Sequence, residues 1–304
     1  MHKTSASFKT AFWALFLLCV LPAVAFAKPK RHVNHVFIIS YDQGGGSSIK
    51  NAPNMPVFHE MAQAGAHDWQ AYTIVPSITL PSHTSMLTGV GIQKHQIDWN
   101  DYQPDKGVVK VPTVFSLAHL QGLSTAMYVG KEKFKHLLIP GSVDHFEISG
   151  KALAVAAAFA RDLPKAKYNL CFLHFADIDS SGHAHGLHSP EWVQSMADTD
   201  AALKIIRDAI VKAGLEDDSV VILTADHGGH NYQTSDGKTK GTHGSSKPED
   251  VEIPWIAWGH GVRPNYDITS AVVTYDTTAT ALWLLGVNLP DSFWGRPVVS
   301  AFKK

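Results

Sequence analysis

Three apolar segments each run into acidic residues or histidine: Ile38-Ile39-Ser40-Tyr41-Asp42, Phe175-Ala176-Asp177-Ile178-Asp179 and Leu223-Thr224-Ala225-Asp226-His227. Carboxylates and imidazoles are donors that divalent transition metals accept. Asp179 and His183 stand four residues apart in Asp179-Ser180-Ser181-Gly182-His183, a spacing that lets both grip one metal from a turn or short helix. His243, in Gly241-Thr242-His243-Gly244, can close that site, and Asp226-His227, followed by two glycines, can join Asp42 around a second ion. Three protein ligands on each ion leave coordination positions open, as in catalytic rather than structural metal sites. Taken singly, such an Asp is more often a helix cap or a turn residue than a ligand; their number at strand ends and in Gly-flanked loops is what points to metals. His174, His185, His188 and His230 read as supporting or solvated histidines, with His185 and His230 expected nearest the site.

A hydroxyl completes the set. Thr79 lies in Pro76-Ser77-Ile78-Thr79-Leu80-Pro81-Ser82-His83, where Pro81 suits the first turn of a following helix. Free N–H groups at a helix start welcome an anionic oxygen, and a metal ion can activate a hydroxyl that attacks poorly on its own. The plainer reading is a residue that merely precedes a helix.

These groups need a frame that brings them together. Short runs rich in β-branched residues predict buried strands at Val36–Ser40, Thr125–Val129, Leu170–Phe175, Val220–Thr224 and Ile253–Trp258. Helical patterns alternate with them at Met55–Ala64, Ser82–Leu87, Thr113–Leu120, Leu153–Leu163, Pro190–Ala213 and Thr277–Leu285. That alternation predicts one α/β domain with a mostly parallel central sheet, helices on both faces and a ligand site at the carboxyl ends of the strands. Carboxylates gathered on one rim repel unless cations compensate them. Two polar stretches, Gln93–Gly107 and Gly228–Asp250, read as long functional loops.

Of 304 residues, 45% are hydrophobic and 17% charged, and the formal net charge is −1, which excludes an intrinsically disordered chain. With 26 Lys and Arg against 27 Asp and Glu there is no broad positive field, so no extended nucleic-acid surface is expected. Residues 1–27 read as a secretion signal: Lys3 and Lys9, an apolar run from Ala11 to Leu21, and the small-x-small pattern Ala25-Phe26-Ala27. The longer apolar stretch from Ala11 to Phe26 is 16 residues, is interrupted by Pro22 and falls short of the roughly 20 residues of a membrane span, so no stable membrane anchor is expected. Leu18 before Cys19 also argues against a lipid anchor. The expectation is an exported protein, periplasmic or secreted, with a domain at 28–304, a mature charge of −3 and Cys171 as its lone cysteine.

Taken in order, Asp42, Thr79-Leu80-Pro81-Ser82-His83 with Leu87-Thr88-Gly89, Asp179-Ser180-Ser181-Gly182-His183, Asp226-His227-Gly228 and His243-Gly244 resemble the alkaline phosphatase superfamily, in particular its type I phosphodiesterase/nucleotide pyrophosphatase branch. The resemblance extends through Pro53-Asn54-Met55 to Gly65 and through Ile253-Pro254 and Asp276 to Leu289, nearly the whole mature chain. It implies two Zn²⁺ ions, one on Asp179, His183 and His243 and the other on Asp42, Asp226 and His227, with Thr79 as nucleophile and a phosphothreonine intermediate. Mn²⁺ or iron suits the same ligands. Asn100 falls where the family places an Asn that donates to a phosphoryl oxygen, although a turn residue is as good a reading of that position alone. The substrate implied is a small phosphorylated molecule, possibly a nucleotide, cleaved at a diester or pyrophosphate bond. Two divalent ions against three carboxylates leave about +1, which suits a monoanionic diester. No Arg falls within a motif, though Lys94 or Lys247 can supply a further cation. A phosphomonoesterase or a phosphonate hydrolase on the same metals is the alternative, and a non-catalytic zinc-binding protein using the His-rich run from His183 to His188 is a third. A sulfatase is disfavoured because Thr79 and His83 replace the Cys or Ser and the Arg of the formylglycine signal. Trp99, Tyr102, Phe134 and Tyr232 are candidates to stack a nucleobase.

Overall fold

A computed structural model describes residues 29–303. The secretion signal read at 1–27 lies outside the described residues, as do the domain limits 28 and 304. In chain order the strands are β1 His35–Tyr41, β2 Ala66–Tyr72, β3 Thr125–Val129, β4 His145–Ile148, β5 Leu170–Phe175, β6 Ser219–Ala225, β7 His230–Gln233, β8 Thr239–Thr242, β9 Glu252–Gly259 and β10 Tyr266–Asp267. The α-helices are α1 Gly46–Lys50, α2 Pro56–Ala64, α3 Thr79–Thr88, α4 Ile92–His95, α5 Val114–His119, α6 Ala152–Ala166, α7 Asp177–His185, α8 Pro190–Lys212, α9 Pro248–Val251 and α10 Asp276–Leu284.

Eight strands form one sheet in the order β10-β2-β9-β6-β1-β5-β3-β4. The centre, β6-β1-β5-β3-β4, is parallel throughout, while β9 runs antiparallel to both β6 and β2. Alternate residues of β1 enter two different cores: Val36 and Ile38 pack with α3, α5 and α10 through Leu87, Phe115 and Leu282, whereas Phe37, Ile39 and Tyr41 pack with α2, α6 and α8 through Phe58, Phe159 and Ile206. A strand buried on both faces must be apolar throughout, which is why the β1, β5 and β6 segments read as continuous hydrophobic runs. The expected single α/β layer structure with helices on both faces is therefore the one observed. No helix among the described residues is long and apolar enough to cross a membrane.

Differences fall at the edges. β2, β4 and β10 escape the apolar-run criterion because they are short or partly exposed, as in the mixed pattern Ala66-His67-Asp68-Trp69-Gln70-Ala71-Tyr72. The long loop expected at Gly228–Asp250 contains the β7–β8 hairpin and α9. The helix expected from Ser82 already begins at Thr79, so Thr79 belongs to its first turn rather than preceding it.

Candidate metal centre

Because β5, β1 and β6 are adjacent and parallel, they deliver α7, Asp42 and Asp226-His227 to one rim. On α7, Asp179 Oδ1 lies 3.2 Å from His183 Nε2, one helical turn on. The β7–β8 hairpin brings His243 to the same place, its Nε2 3.5 Å from Asp179 Oδ1 and 3.1 Å from His183 Nε2. In the second group, His227 Nε2 is 3.5 Å from Asp42 Oδ1 and 3.2 Å from Asp226 Oδ2. The groups adjoin, with the His227 and His243 rings stacked at 3.8 Å between centroids. All six expected ligands thus converge.

Their presentation suits metal binding. Nδ1 of His183, His227 and His243 bonds the main-chain carbonyls of Gly241, Gly228 and Ser77 at 3.0, 2.8 and 3.0 Å. A carbonyl only accepts, so each Nδ1 carries the proton and each Nε2 turns a lone pair into the site. Asp226 Oδ1 accepts the main-chain N–H of Gln43 and of His227, and Asp42 Oδ2 meets His174 Nε2 at 3.0 Å. By contrast Asp179 Oδ1 and Asp226 Oδ2 are buried without a hydrogen bond, although an imidazole nitrogen stands 3.2 Å from each. Buried carboxylate oxygens left this way are what a shared cation would satisfy, and the residues present fit two divalent ions.

Thr79 opens α3 and is 1% exposed. Its Oγ1 lies 3.5 Å from Asp42 Oδ1 and 3.3 Å from His227 Nε2, facing the second group. The next N–H, of Leu80, donates to Asn100 Oδ1 at 2.9 Å, which sets Asn100 beside Thr79 and leaves its Nδ2 to donate elsewhere. Beneath Thr79, His83 joins Nδ1 to the Thr79 carbonyl and Nε2 to Ser40 Oγ, each at 2.8 Å.

One major contributor was missed from the sequence. Lys131, just beyond β3, holds Nζ 2.6 Å from Asp42 Oδ2 and 2.6 Å from Asp179 Oδ2, one carboxylate of each group. The rule that drew attention to the carboxyl ends of β1, β5 and β6 applies equally to β3 and would have found it. Burial alone would raise the Asp42 carboxyl, but the Lys131 ammonium and the His174 hydrogen bond hold it well below the ordinary carboxylate range. Burial and the charge of Asp42 push Asp179 upward, yet His183 and Lys131 prevail and leave it at about 2. Burial depresses His243 to about 4, with His227 adding to the effect, whereas the adjacent Asp179 carboxylate raises His183. The site is electrically a carboxylate trap for cations.

The remaining expectations divide. His174 supports Asp42, as a helper histidine should. His230 turns instead to Asp250 at 2.7 Å, and His185 is exposed in a cleft it shares with Lys131 and Asp177. Lys94 bonds the Ser292 carbonyl and Lys247 precedes α9 on the surface, so the further cation is Lys131. Phe134 is buried against His83 and is a core residue; Tyr102 and Tyr232 are exposed and Trp99 packs on the core.

Residues 36–243 match the family model described as "Type I phosphodiesterase / nucleotide pyrophosphatase". Among curated proteins, the chain is 23% identical over 239 residues to the mouse (Mus musculus) ectonucleotide pyrophosphatase/phosphodiesterase family member 7, covering 69% of this chain and 53% of that protein. It is 31% identical over 273 residues to GPI ethanolamine phosphate transferase 1 of Gibberella zeae, covering 74% of this chain and 26% of that one. The chain thus spans about half of the first of these relatives and about a quarter of the second. In structure it resembles murine ectonucleotide pyrophosphatase/phosphodiesterase 5, in an inactive form in complex with AMP, with a TM-score of 0.74 at 17% identity over 89% of this chain and all of that one. A 2-O GAG sulfatase gives a TM-score of 0.73 at 14% identity, covering 88% of this chain and 74% of that one; both likenesses concern the fold.

Proposed function

The chain belongs to the type I phosphodiesterase/nucleotide pyrophosphatase family, and from that premise we propose that it is a two-metal phosphoric ester hydrolase in which Thr79 is the nucleophile. The observation that carries this reading is the approach of the buried Thr79 hydroxyl to Asp42 and His227 at the start of a helix, within the convergence of six ligand side chains. Asp179, His183 and His243 would hold one ion, Asp42, Asp226 and His227 the other, and zinc is the metal we favour for these donors. Bound there, divalent ions supply Lewis-acid stabilisation of phosphoryl oxygens and lower the proton affinity of a hydroxyl.

The chain's own groups do the rest. Thr79 Oγ1, its proton passing to solvent, forms a bond to phosphorus as one ester oxygen leaves and takes up a proton, giving a phosphothreonine that keeps its second ester group when the substrate is a diester; an incoming acceptor then forms the new P–O bond as the Thr79 bond breaks. Asn100, anchored through Oδ1, has Nδ2 to donate to a phosphoryl oxygen. His83 fixes the Thr79 main chain from below. Water as acceptor gives hydrolysis; an alcohol would give the transfer named in the Gibberella zeae relative. The leader-like start of the sequence supports action outside the cytoplasm.

Family membership supports a diester or nucleotide pyrophosphate bond as the target. Lys131 supports a second reading. With this ammonium, the charge of two divalent ions and three carboxylates rises from about +1 to about +2, which favours a dianionic phosphomonoester or phosphonate. Hydrolysis of an aryl phosphate monoester beside the matching diester, with metal-loaded and chelated protein, tests both. Equal rates with and without metal would remove the two-metal reading, and the faster substrate decides between the ester classes.

A further inference from the structure

Asp42 is followed by Gln43, whose conformation and surroundings are costly twice over. Its φ of 63° places a side-chain-bearing residue in the left-handed region, although three glycines follow immediately. Its side chain is 1% exposed, and neither Oε1 nor Nε2 has a hydrogen-bond partner. Glycine would avoid both costs.

The location explains what such a residue does. A Cβ on Gly182 would lie 2.1 Å from Gln43 Oε1, and one on Gly229 would lie 2.9 Å from Gln43 Nε2. The carboxamide is therefore wedged between the turn of α7 that carries His183 and the segment two residues past His227. Its main-chain N–H meanwhile bonds Asp226 Oδ1 at 3.2 Å. Gln43 touches the supports of both ligand groups: Asp42 and Asp226 on one side, Gly182 beside His183 on the other.

We propose that Gln43 is a positioning residue, a spacer that sets the separation between the two metal-ligand groups. This inference rests on the two-metal reading above. The slot is closed on both sides by glycine backbone, so the bulk of the wedge, rather than any bond it makes, fixes how far α7 stands from the His227 segment. Strain is tolerated at this position because the ligand geometry depends on it.

The test is zinc titration of the full chain, stripped of metal, in competition with a chromophoric chelator, alongside apo-protein melting. Wild type is expected to take up two Zn²⁺. Gln43→Gly relieves the backbone and empties the slot, so its apo melting temperature holds or rises while zinc affinity falls at least tenfold in one or both sites. Gln43→Met refills the slot and keeps affinity within about threefold of wild type. A Gln43→Gly protein that binds both ions as wild type does, or a Gln43→Met protein that falls as far as Gln43→Gly, would overturn the spacer role while leaving the two-metal reading intact. A wild type that binds no zinc, manganese or iron sinks both.

Discussion

Lys131 donates to Asp179 Oδ2 across 2.6 Å, joining the end of β3 to the first turn of α7. The same Nζ lies equally close to Asp42, so this one ammonium answers a carboxylate of each ligand group. Burial would lower the Lys131 pKa, but the two carboxylates raise it above its ordinary value, so the charge is permanent at physiological pH. Lys131→Met keeps the apolar stem and removes the charge. Removal of one buried positive charge from the site is expected to cost about 10- to 100-fold, and the loss in kcat/KM is expected to be larger for an aryl phosphate monoester or a phosphonate than for the diester. Equal losses on both substrates would show that Lys131 does not read substrate charge.

Asn100→Ala removes the acceptor of the Leu80 N–H and the amide group beside Thr79 together. The expected outcome is a fall in kcat of about 10²-fold or more, with unchanged zinc content, since comparable donors to developing anionic oxygens are worth that much. Steady-state kinetics and metal analysis check it; a change confined to KM would assign Asn100 to ground-state binding alone.

How much of this could be read beforehand follows from burial. β1, β5 and β6 are covered on both faces, so composition alone marks them, and the residues at their ends follow from parallel pairing. β2 and β4 carry Asp68, Gln70 and Glu147 on partly exposed faces, and the β7–β8 hairpin is nearly all polar; backbone pairing rather than apolar content holds them. Lys131 follows a strand that was legible but ends in Gly-Lys rather than in acids. The left-handed turn at Gln43 left no trace, because the adjacent Gly44, Gly45 and Gly46 are where such a turn is expected.

Acid sensitivity should have a contribution from His95. It is 2% exposed, its Nδ1 accepts the Ile97 N–H and its Nε2 meets Ser85 Oγ, and burial lowers its pKa from 6.5 to about 4. Between these values the unfolded chain binds the proton that the folded one refuses. Stability is therefore fully present above pH 6.5 and lost progressively as pH falls toward 4, by about 3 kcal/mol for this residue. Urea unfolding at stepped pH should give a flatter profile for His95→Gln than for wild type over that interval. Parallel profiles would contradict the assignment.

Gly241→Ala probes the joint between hairpin and helix. A Cβ there would lie 2.5 Å from Leu187 Cδ1 and 2.7 Å from the Gly182 carbonyl oxygen, so β8 must retreat from α7 and take His243 away from Asp179. Overpacking of this kind costs about 1–3 kcal/mol, measurable by urea unfolding, and bound zinc should fall from two ions toward one. Undiminished stability and zinc content would mean the joint is more pliable than its geometry implies.

The central claim is that the Thr79 hydroxyl becomes phosphorylated during turnover. Metal-loaded protein mixed with excess aryl phosphate ester, quenched in acid within the first turnovers and digested for mass spectrometry, should yield one phosphoryl group on the peptide containing Thr79, still bearing its second ester when the substrate is a diester. The Thr79→Ala protein, with both metals bound, should give no adduct and no turnover. An unmodified Thr79 peptide together with full turnover by metal-loaded Thr79→Ala would contradict the account.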